Sequence, residues 1–241
     1  MDQDGFHSTR PGGGPLDIIL AVDNSNSMED EAIAVQQKLN SFVNNLTGIG
    51  WDVRLILLSA DSSDDEGICV PAPLGSGSCP NDEKLPQYQH LVFSIGSTNA
   101  LQQILDVYPS YSSSLRSGSV RAIIVVSDDD SALSADGFVA QLLALDPEFA
   151  GFTAHAIAAS EDPGFSAPVC SPNFPLPPVF SSSEGVVYKE LVARQHGVFH
   201  DLCLQMINVG FDDIASDQRQ PIFTDGFESG DVSVWSSQAP Q

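Results

Sequence analysis

The stretch from Leu16 to Asp30 constrains the fold of this 241-residue chain most strongly, because a buried-strand pattern ends there abruptly in polar side chains. Residues 16–22 are almost entirely apolar and include β-branched side chains, which is typical of a strand buried on both faces. Every residue from Asp23 to Ser27 then carries a side-chain oxygen, and an amphipathic helical pattern follows. A strand that feeds a helix through a polar loop is the βα unit of open α/β sheets, which bind ligands at the carboxyl ends of their strands.

The rest of the chain alternates between strand and helix patterns, and residues 120–126 repeat the buried-strand pattern and its polar ending. Such alternation implies a mostly parallel sheet with right-handed crossovers. We therefore predict a doubly wound α/β fold whose six-stranded sheet has the order 3-2-1-4-5-6, helices on both faces and one antiparallel edge strand, the third, paired with the second as a hairpin. The other strands are predicted at 51–60, 87–95, 152–159 and 198–202, within a domain at 16–217 that lies between a flexible lead-in (1–15) and a C-terminal tail (218–241).

Oxygen-bearing side chains are predicted to converge at the carboxyl edge of this sheet. Strands one and four are neighbours in the predicted order, so Asp23 and Asp128 meet there, and a divalent cation relieves the repulsion between two carboxylates. Asp23, Ser25 and Ser27 alternate along the chain, which lets their oxygens converge in an extended loop. Thr98 supplies another hydroxyl at a predicted helix start. We predict one site for Mg²⁺, or for Mn²⁺ or Ca²⁺, formed by Asp23, Ser25, Ser27, Thr98 and Asp128.

The same residues resemble the motifs of von Willebrand factor A-type (VWA) domains, over about residues 16–215. The Asp-x-Ser-x-Ser sequence at 23–27 matches the family's first loop, Thr98 in GSTNAL the second-loop threonine, and Asp128 after AIIVVS the third-loop aspartate. The segment YKELVARQHGVFHDLC resembles the family's last helix and strand, with His196-Gly197 in place of the usual pair of glycines. The resemblance implies a metal-ion-dependent adhesion site in a secreted bacterial protein that is not an enzyme.

In such a site the two serine hydroxyls contact the metal directly, and the threonine and the two aspartates bind it directly or through water. One coordination position remains for a carboxylate from a protein or surface partner. Two residues depart from the family pattern: Asn26 stands where glycine is frequent, and Asp129 replaces the glycine that usually follows the third-loop aspartate. Asp129 adds negative charge near the open position, which we expect to favour metal retention and to oppose an acidic ligand.

Other interpretations of these residues stay open. The segment from Ser27 to Asp30 fits a helix-capping box with Ser27 as N-cap. A structural or assembly module with a structural or vestigial metal site is the main alternative to an adhesion module. A hydrolase of the haloacid dehalogenase type also uses an aspartate after the first strand and Mg²⁺, but it needs a carboxylate two residues on, where this chain has Ser25. Serine hydrolase chemistry is disfavoured because no G-x-S-x-G motif is present, and the scattered histidines are interpreted as core or surface residues.

Composition argues against several partners. The chain has 9 Lys and Arg residues against 32 Asp and Glu residues, and its formal charge of −23 disfavours nucleic acid and anionic membranes. No apolar run reaches the roughly 18 residues that a membrane span requires. The acidic run at 64–66 lacks the spacing of a calcium-binding EF-hand loop, so we interpret it as a solvated loop.

The four cysteines predict two disulfides rather than a metal site, because no C-x-x-C spacing occurs. Cys69 and Cys79 bracket one loop, and a bond between Cys170 and Cys203 would tie another long loop to the end of a strand; four buried thiols are the alternative. Persistent disulfides form in oxidising compartments, which favours a secreted or cell-surface location. The tail segment TDGFESGDVSVWSS resembles a short C-terminal segment of many secreted bacterial proteins.

Overall fold

The computed structural model describes residues 13–63, 66–160, 183–202 and 207–218, and it places one six-stranded sheet at the centre of the molecule. The strand order is β3-β2-β1-β4-β5-β6, and all five pairings are parallel. The predicted fold class and strand order are therefore confirmed. The strands are β1 (Pro15–Val22), β2 (Asp52–Ser59), β3 (Tyr88–Val92), β4 (Val120–Ser127), β5 (Thr153–Ala158) and β6 (Phe199–Asp201).

The prediction of an antiparallel edge strand was wrong, because β3 pairs with β2 in parallel, with Leu55 opposite Tyr88 and Ser59 opposite Val92. A parallel pair needs a connection that crosses the sheet, whereas a hairpin needs only a short turn. Residues 60–87, which we call the crossover loop, provide that connection. The loop buries three apolar side chains in the core on one face of the sheet, namely those of Ile68, Val70 and Leu74.

Helices cover both faces of the sheet, as predicted. The first face is covered by α1 (Glu29–Gly48), α6 (Ile207–Asp217) and the crossover loop, and the rings of Phe42 and Phe211 pack with their centroids 4.9 Å apart. The second face is covered mainly by α2 (Ala100–Asp106), α4 (Ala135–Leu145) and α5 (Val186–Arg194), with the short helix α3 (Tyr108–Tyr111) beside them. The predicted apolar stripe of α1 is buried along its whole length and comprises Val35, Leu39, Phe42, Val43 and Leu46.

A disulfide joins Cys69 to Cys79 within the crossover loop, with the two Cα atoms 5.9 Å apart, which confirms the first predicted pair. The second predicted pair, Cys170 and Cys203, lies outside the described residues, as do the tail and the first two residues of the acidic run. Among the helices that the structure describes, none combines the length and apolar character needed to cross a membrane.

The turn between α5 and β6 holds one residue in a strained backbone conformation and one position with no room for a side chain. His196 adopts a positive φ of 54°, in the left-handed region where a side chain is strained and glycine is not. At Gly197 an added Cβ atom would lie 1.9 Å from the carbonyl oxygen of Ala154, so the backbone of β5 leaves no room for a side chain there. Position 196 therefore holds histidine at a cost in strain, and position 197 requires glycine.

Substitution at this turn should separate the two effects. His196→Gly should leave the free energy of unfolding unchanged or raise it by up to about 1 kcal/mol, since it relieves backbone strain but loosens the unfolded chain. Gly197→Ala should lower it by more than about 2 kcal/mol, because the added methyl group meets backbone. Urea denaturation of both variants measures this, and a loss of more than about 1 kcal/mol in His196→Gly would contradict the strain argument.

Candidate metal centre

The first loop holds two serine hydroxyls side by side. The first loop is hydrogen-bonded to β4 directly after β1 ends: the amide of Asp23 donates to the carbonyl of Val126 at 2.9 Å. The amide of Ser25 then donates to Oδ1 of Asp23 at 2.8 Å, which closes a tight turn. As a result, Oγ of Ser25 and Oγ of Ser27 lie 3.3 Å apart. This is the convergence that the alternating residues predict.

The third loop, which follows β4, lies against the first. The hydroxyl of Ser127 donates to Oδ2 of Asp23 at 2.8 Å, so both carboxylate oxygens of Asp23 accept hydrogen bonds from the protein. Asp128 is 1% exposed, and the side chain of Ser27 lies close enough to it to act on the pKa of its carboxyl group. Contacts therefore bring together four of the five predicted site residues.

Thr98, the fifth, lies in the second loop beside the third. The carbonyl of Thr98 accepts a hydrogen bond from the amide of Ala132 at 2.8 Å, and the carbonyl oxygen of Ser97 lies 3.5 Å from the hydroxyl oxygen of Ser127. The side chain of Thr98 is exposed, and its hydroxyl makes no hydrogen bond to any residue that the structure describes. It lies just before α2, whose N-cap is Asn99, so its hydroxyl points to solvent instead of capping the helix.

The structure rules out helix capping as the role of Ser27. The N-cap residue of α1 is Met28, and no side-chain hydrogen bond caps that helix end. The hydroxyl of Ser27 lies instead between Ser25 and Asp128. The side chain that the capping-box pattern assigns to α1 thus belongs to the polar cluster at the sheet edge.

Burial and mutual repulsion perturb the carboxyl groups around these hydroxyls. Burial raises the pKa of the Asp128 carboxyl to about 7, the charges of neighbouring carboxylates add to this effect, and the nearby side chain of Ser27 opposes it. Burial also raises the pKa of Asp23, against the hydrogen bonds that it accepts. A group of buried acids that resist ionisation is an environment that a bound cation would relieve.

Glu31 is a further acid near this site that the sequence did not single out. It lies in the first turn of α1, is 5% exposed and contributes to the electrostatic field at Asp128. Burial raises the pKa of Glu31 to about 7, with a smaller contribution from the charge of Asp30. Its burial could have been predicted from its spacing, because Glu31 precedes Val35 by four residues and so lies on the same face of α1 as the buried stripe.

The next two aspartates fasten the third loop to α5. Oδ1 of Asp130 accepts a hydrogen bond from the amide of Val187 at 2.9 Å, in the first turn of α5. The hydroxyl of Ser183 donates to Oδ1 of Asp129 at 3.3 Å and accepts from the amide of Asp130 at 3.0 Å. Asp129 is 7% exposed, and its charge acts to raise the pKa of both Asp23 and Asp128.

The chemistry of this donor set fits a divalent cation with oxygen ligands. Two neighbouring ligands of an octahedral ion lie about 3.0 Å apart for metal–oxygen distances of about 2.1 Å and about 3.4 Å apart for about 2.4 Å. The separation of 3.3 Å between the hydroxyl oxygens of Ser25 and Ser27 falls in this range. Asp23 and Asp128 then supply negative charge from two different strands. The predicted residues therefore fit the metal that the sequence implies.

Another group of potential ligands lies in the crossover loop but is already engaged. Cys69, Cys79 and Asp82 form the one group of three Cys, His, Asp or Glu ligand atoms within 4.8 Å of one another in the described part of the chain. The two sulfurs are bonded to each other, and Asp82 accepts hydrogen bonds from the amide of Val70 at 2.5 Å and the hydroxyl of Tyr88 at 3.1 Å. This group braces the loop.

Asp82 also belongs to a Ser-His-Asp constellation. Nδ1 of His90 lies 2.7 Å from Oδ1 of Asp82, and Nε2 of His90 lies 2.9 Å from the hydroxyl oxygen of Ser59. These distances match a nucleophile, base and orienting acid. However, Ser59 and Asp82 are completely buried and His90 is 5% exposed, so no substrate reaches the hydroxyl in this structure. The constellation links the crossover loop to β2 and β3.

Comparison with known proteins gives no family assignment. No family model and no curated protein matches the sequence. Among solved structures, the chain is similar to CetZ from Methanosaeta thermophila at 13% sequence identity and a TM-score of 0.34, over 85% of this chain and 52% of that one. The chain thus spans about half the length of that protein, and a likeness of this size carries no argument about fold or function.

The acidic cluster predicts a pH dependence in the absence of divalent cations. Folded Asp128 keeps its proton up to about pH 7, whereas the unfolded residue ionises near the ordinary aspartate pKa of 3.8, so its contribution to stability is lost as the pH rises between these values. Asp128→Asn cannot ionise. The free energy of unfolding of Asp128→Asn, relative to the unchanged protein, should therefore rise by roughly 1 to 3 kcal/mol between pH 5 and pH 8.

Chemical denaturation in the presence of a chelator, at several pH values, measures this difference. Asp106→Asn is the matched control, because the side chain of Asp106 is exposed on α2. A relative stability of Asp128→Asn that stays level or falls with pH would show that Asp128 is ionised in the folded protein.

Proposed function

We propose that this chain is an extracellular, divalent-cation-dependent binding module of the VWA type, which captures a carboxylate of a protein or surface partner through a metal at the carboxyl edge of the sheet. One observation carries the proposal: the hydroxyl of Ser27 lies 3.3 Å from that of Ser25 and close to Asp128 instead of capping α1. The strand order, which brings β1 beside β4, supports it further.

Each site residue then has a distinct task. Ser25 and Ser27 hold the cation directly through their hydroxyls. Asp23 already accepts hydrogen bonds at both carboxylate oxygens, so it orients the first loop and reaches the cation through water. Asp128 supplies buried negative charge from the third loop, and the exposed hydroxyl of Thr98 in the second loop would turn toward the cation when the cation binds. The cation, when bound, attracts the carboxylate of the partner.

A second candidate function is a structural cation that organises the carboxyl edge of the sheet without a partner. The observation that favours it is the number of acids near the site, since Glu31, Asp128 and Asp129 are all more than nine-tenths buried. Such negative charge retains a cation and repels an incoming carboxylate. The two functions differ in whether the metal-loaded protein captures anything.

Capture from the native environment of the protein, with Mg²⁺ or with a chelator, tests the adhesive function directly. Partners retained with Mg²⁺ and released by the chelator support adhesion. Partners that are retained equally well in both conditions would contradict a metal-mediated contact.

Substitution of Ser25 and Ser27 tests whether a divalent cation binds at the proposed site. At a Mg²⁺ concentration a hundred times the dissociation constant, the free energy of unfolding should rise by about 2.7 kcal/mol. The double substitution Ser25→Ala with Ser27→Ala should abolish this rise because it removes both direct ligands. Thermal denaturation with Mg²⁺, Mn²⁺ and Ca²⁺ measures the effect.

Ser41→Ala is the control for removing a serine hydroxyl away from the site. Ser41 lies on α1, and among the described residues its hydroxyl bonds only to the carbonyl of Lys38. This variant should keep the full response to the cation. An unchanged protein whose melting temperature ignores all three cations at millimolar concentrations would contradict the proposed metal site.

Substitution of Asp129 distinguishes an adhesive role of the cation from a structural one. A carboxylate about 4 Å from an incoming carboxylate costs of order 1 to 4 kcal/mol, depending on the effective dielectric constant. Asp129→Gly should therefore weaken Mg²⁺ binding and strengthen Mg²⁺-dependent capture of acidic peptides, whereas Asp128→Ala should weaken both. Calorimetry and capture at constant ionic strength measure the two affinities, because salt screens exposed charges. If Asp129→Gly changes neither affinity, Asp129 does not act on the site.

A further inference from the structure

Asn24 lies between two proposed site residues, and its side-chain amide contacts two other segments of the chain. Oδ1 accepts hydrogen bonds from the amide of Ala60 at 2.7 Å and the amide of Ile95 at 3.2 Å, and Nδ2 donates to the carbonyl of Glu66 at 3.0 Å. The backbone amide of Asn24 also donates to the carbonyl of Ile95 at 2.8 Å. Asn24 therefore ties the first loop to the crossover loop and to the segment after β3.

These contacts leave the side chain of Asn24 one orientation. Its oxygen receives two N–H groups and its nitrogen faces a carbonyl, so exchanging the two atoms would oppose donor to donor and acceptor to acceptor. An amide held at three points cannot rotate without losing all three bonds. Because Asn24 directly precedes Ser25, the fixed side chain also fixes the backbone that presents the first hydroxyl to the cation.

The crossover loop that Asn24 contacts is itself braced. Its disulfide joins Cys69 to Cys79, and Asp82 accepts a hydrogen bond from the amide of Val70, next to the disulfide. From Asp82 the hydrogen bonds continue through His90 to Ser59, the residue before Ala60. A continuous set of bonds thus leads from the disulfide to one of the amides that hold Asn24.

A second asparagine clamps the same loop away from the site. Asn40, on α1, donates from Nδ2 to the carbonyl of Pro71 at 3.0 Å and accepts at Oδ1 from the amide of Leu74 at 2.8 Å. Asn24 and Asn40 therefore make the same kind of two-sided amide contact with the crossover loop. Only Asn24 belongs to the first loop of the site, which makes Asn40 a matched control.

We propose that Asn24 is a positioning residue through which the disulfide-braced crossover loop sets the affinity of the site for its divalent cation. This inference rests on the proposed function, because it needs a cation at Ser25 and Ser27. It goes further by assigning control of that affinity to a loop that supplies none of the predicted ligands. Residues that orient metal ligands from outside the coordination sphere typically change metal affinity about 10- to 100-fold when they are removed.

The experiment compares Mg²⁺ and Mn²⁺ affinities by calorimetry, using the full chain and four variants. Asn24→Ala should weaken binding about 10- to 100-fold, whereas Asn40→Ala should leave it within about twofold. Both variants should lose similar free energies of unfolding without metal, measured by urea denaturation, since each loses a two-sided amide clamp. The metal affinity thus separates positioning from a purely structural role.

The disulfide supplies the second half of the test. The double substitution Cys69→Ser with Cys79→Ser should weaken metal binding, but adding it to Asn24→Ala should weaken binding no further, because both changes act through one contact. If Asn24→Ala binds as the unchanged protein does, or if Asn40→Ala loses as much affinity, the inference is overturned. If the unchanged protein itself binds neither cation, the proposed function fails instead, and this outcome is seen before any variant is made.

Discussion

The parallel pairing of β1 with β4 is the interaction on which the rest of the structure depends. It places Val22 opposite Val126 at the end of both strands, so the two chains emerge side by side at one edge of the sheet. Asp23 and Asp128 are both buried there, and the charge of Asp23 raises the pKa of Asp128. The hydrogen bond from Ser127 to Asp23 and the nearby hydroxyl of Ser27 at Asp128 offset part of the resulting repulsion. The hydroxyl groups of both loops thus lie where they reduce the repulsion between these two carboxylates.

The strands and helices that pack on both faces were well predicted, because their patterns are long and regular. The runs in β1 and β4 contain enough β-branched residues to identify buried strands, and both end in oxygen-bearing side chains that include an aspartate, which indicates that they lie side by side. The direction of β3 was not predictable in the same way. The side-chain pattern of its five residues is the same for a parallel and an antiparallel strand. The packing of the crossover loop over the sheet makes β3 parallel to β2.

The predicted site residues came from local patterns, whereas the residues that support them depend on distant parts of the chain. The sequence from Ser27 to Asp30 fits a capping box as well as a metal loop, and only contact with Asp128 distinguishes them. Asn24 was one polar residue among five in the sequence. Its partners are Ala60 and Glu66 in the crossover loop and Ile95 after β3, which only the folded chain brings to the first loop. The sequence of the first loop alone therefore does not predict these contacts.

The position of the site at the end of β1 has a mechanical consequence. A tensile load applied between a partner at the carboxyl edge and the chain that enters at Pro15 would run along β1 itself. That strand is paired on both sides, with β2 over residues 15–21 and with β4 over residues 16–22. Such a load shears two ladders of hydrogen bonds at once, so many bonds share the force instead of opening one after another. Under the proposed function, the load from a captured partner would therefore fall on a strand that is hydrogen-bonded on both sides.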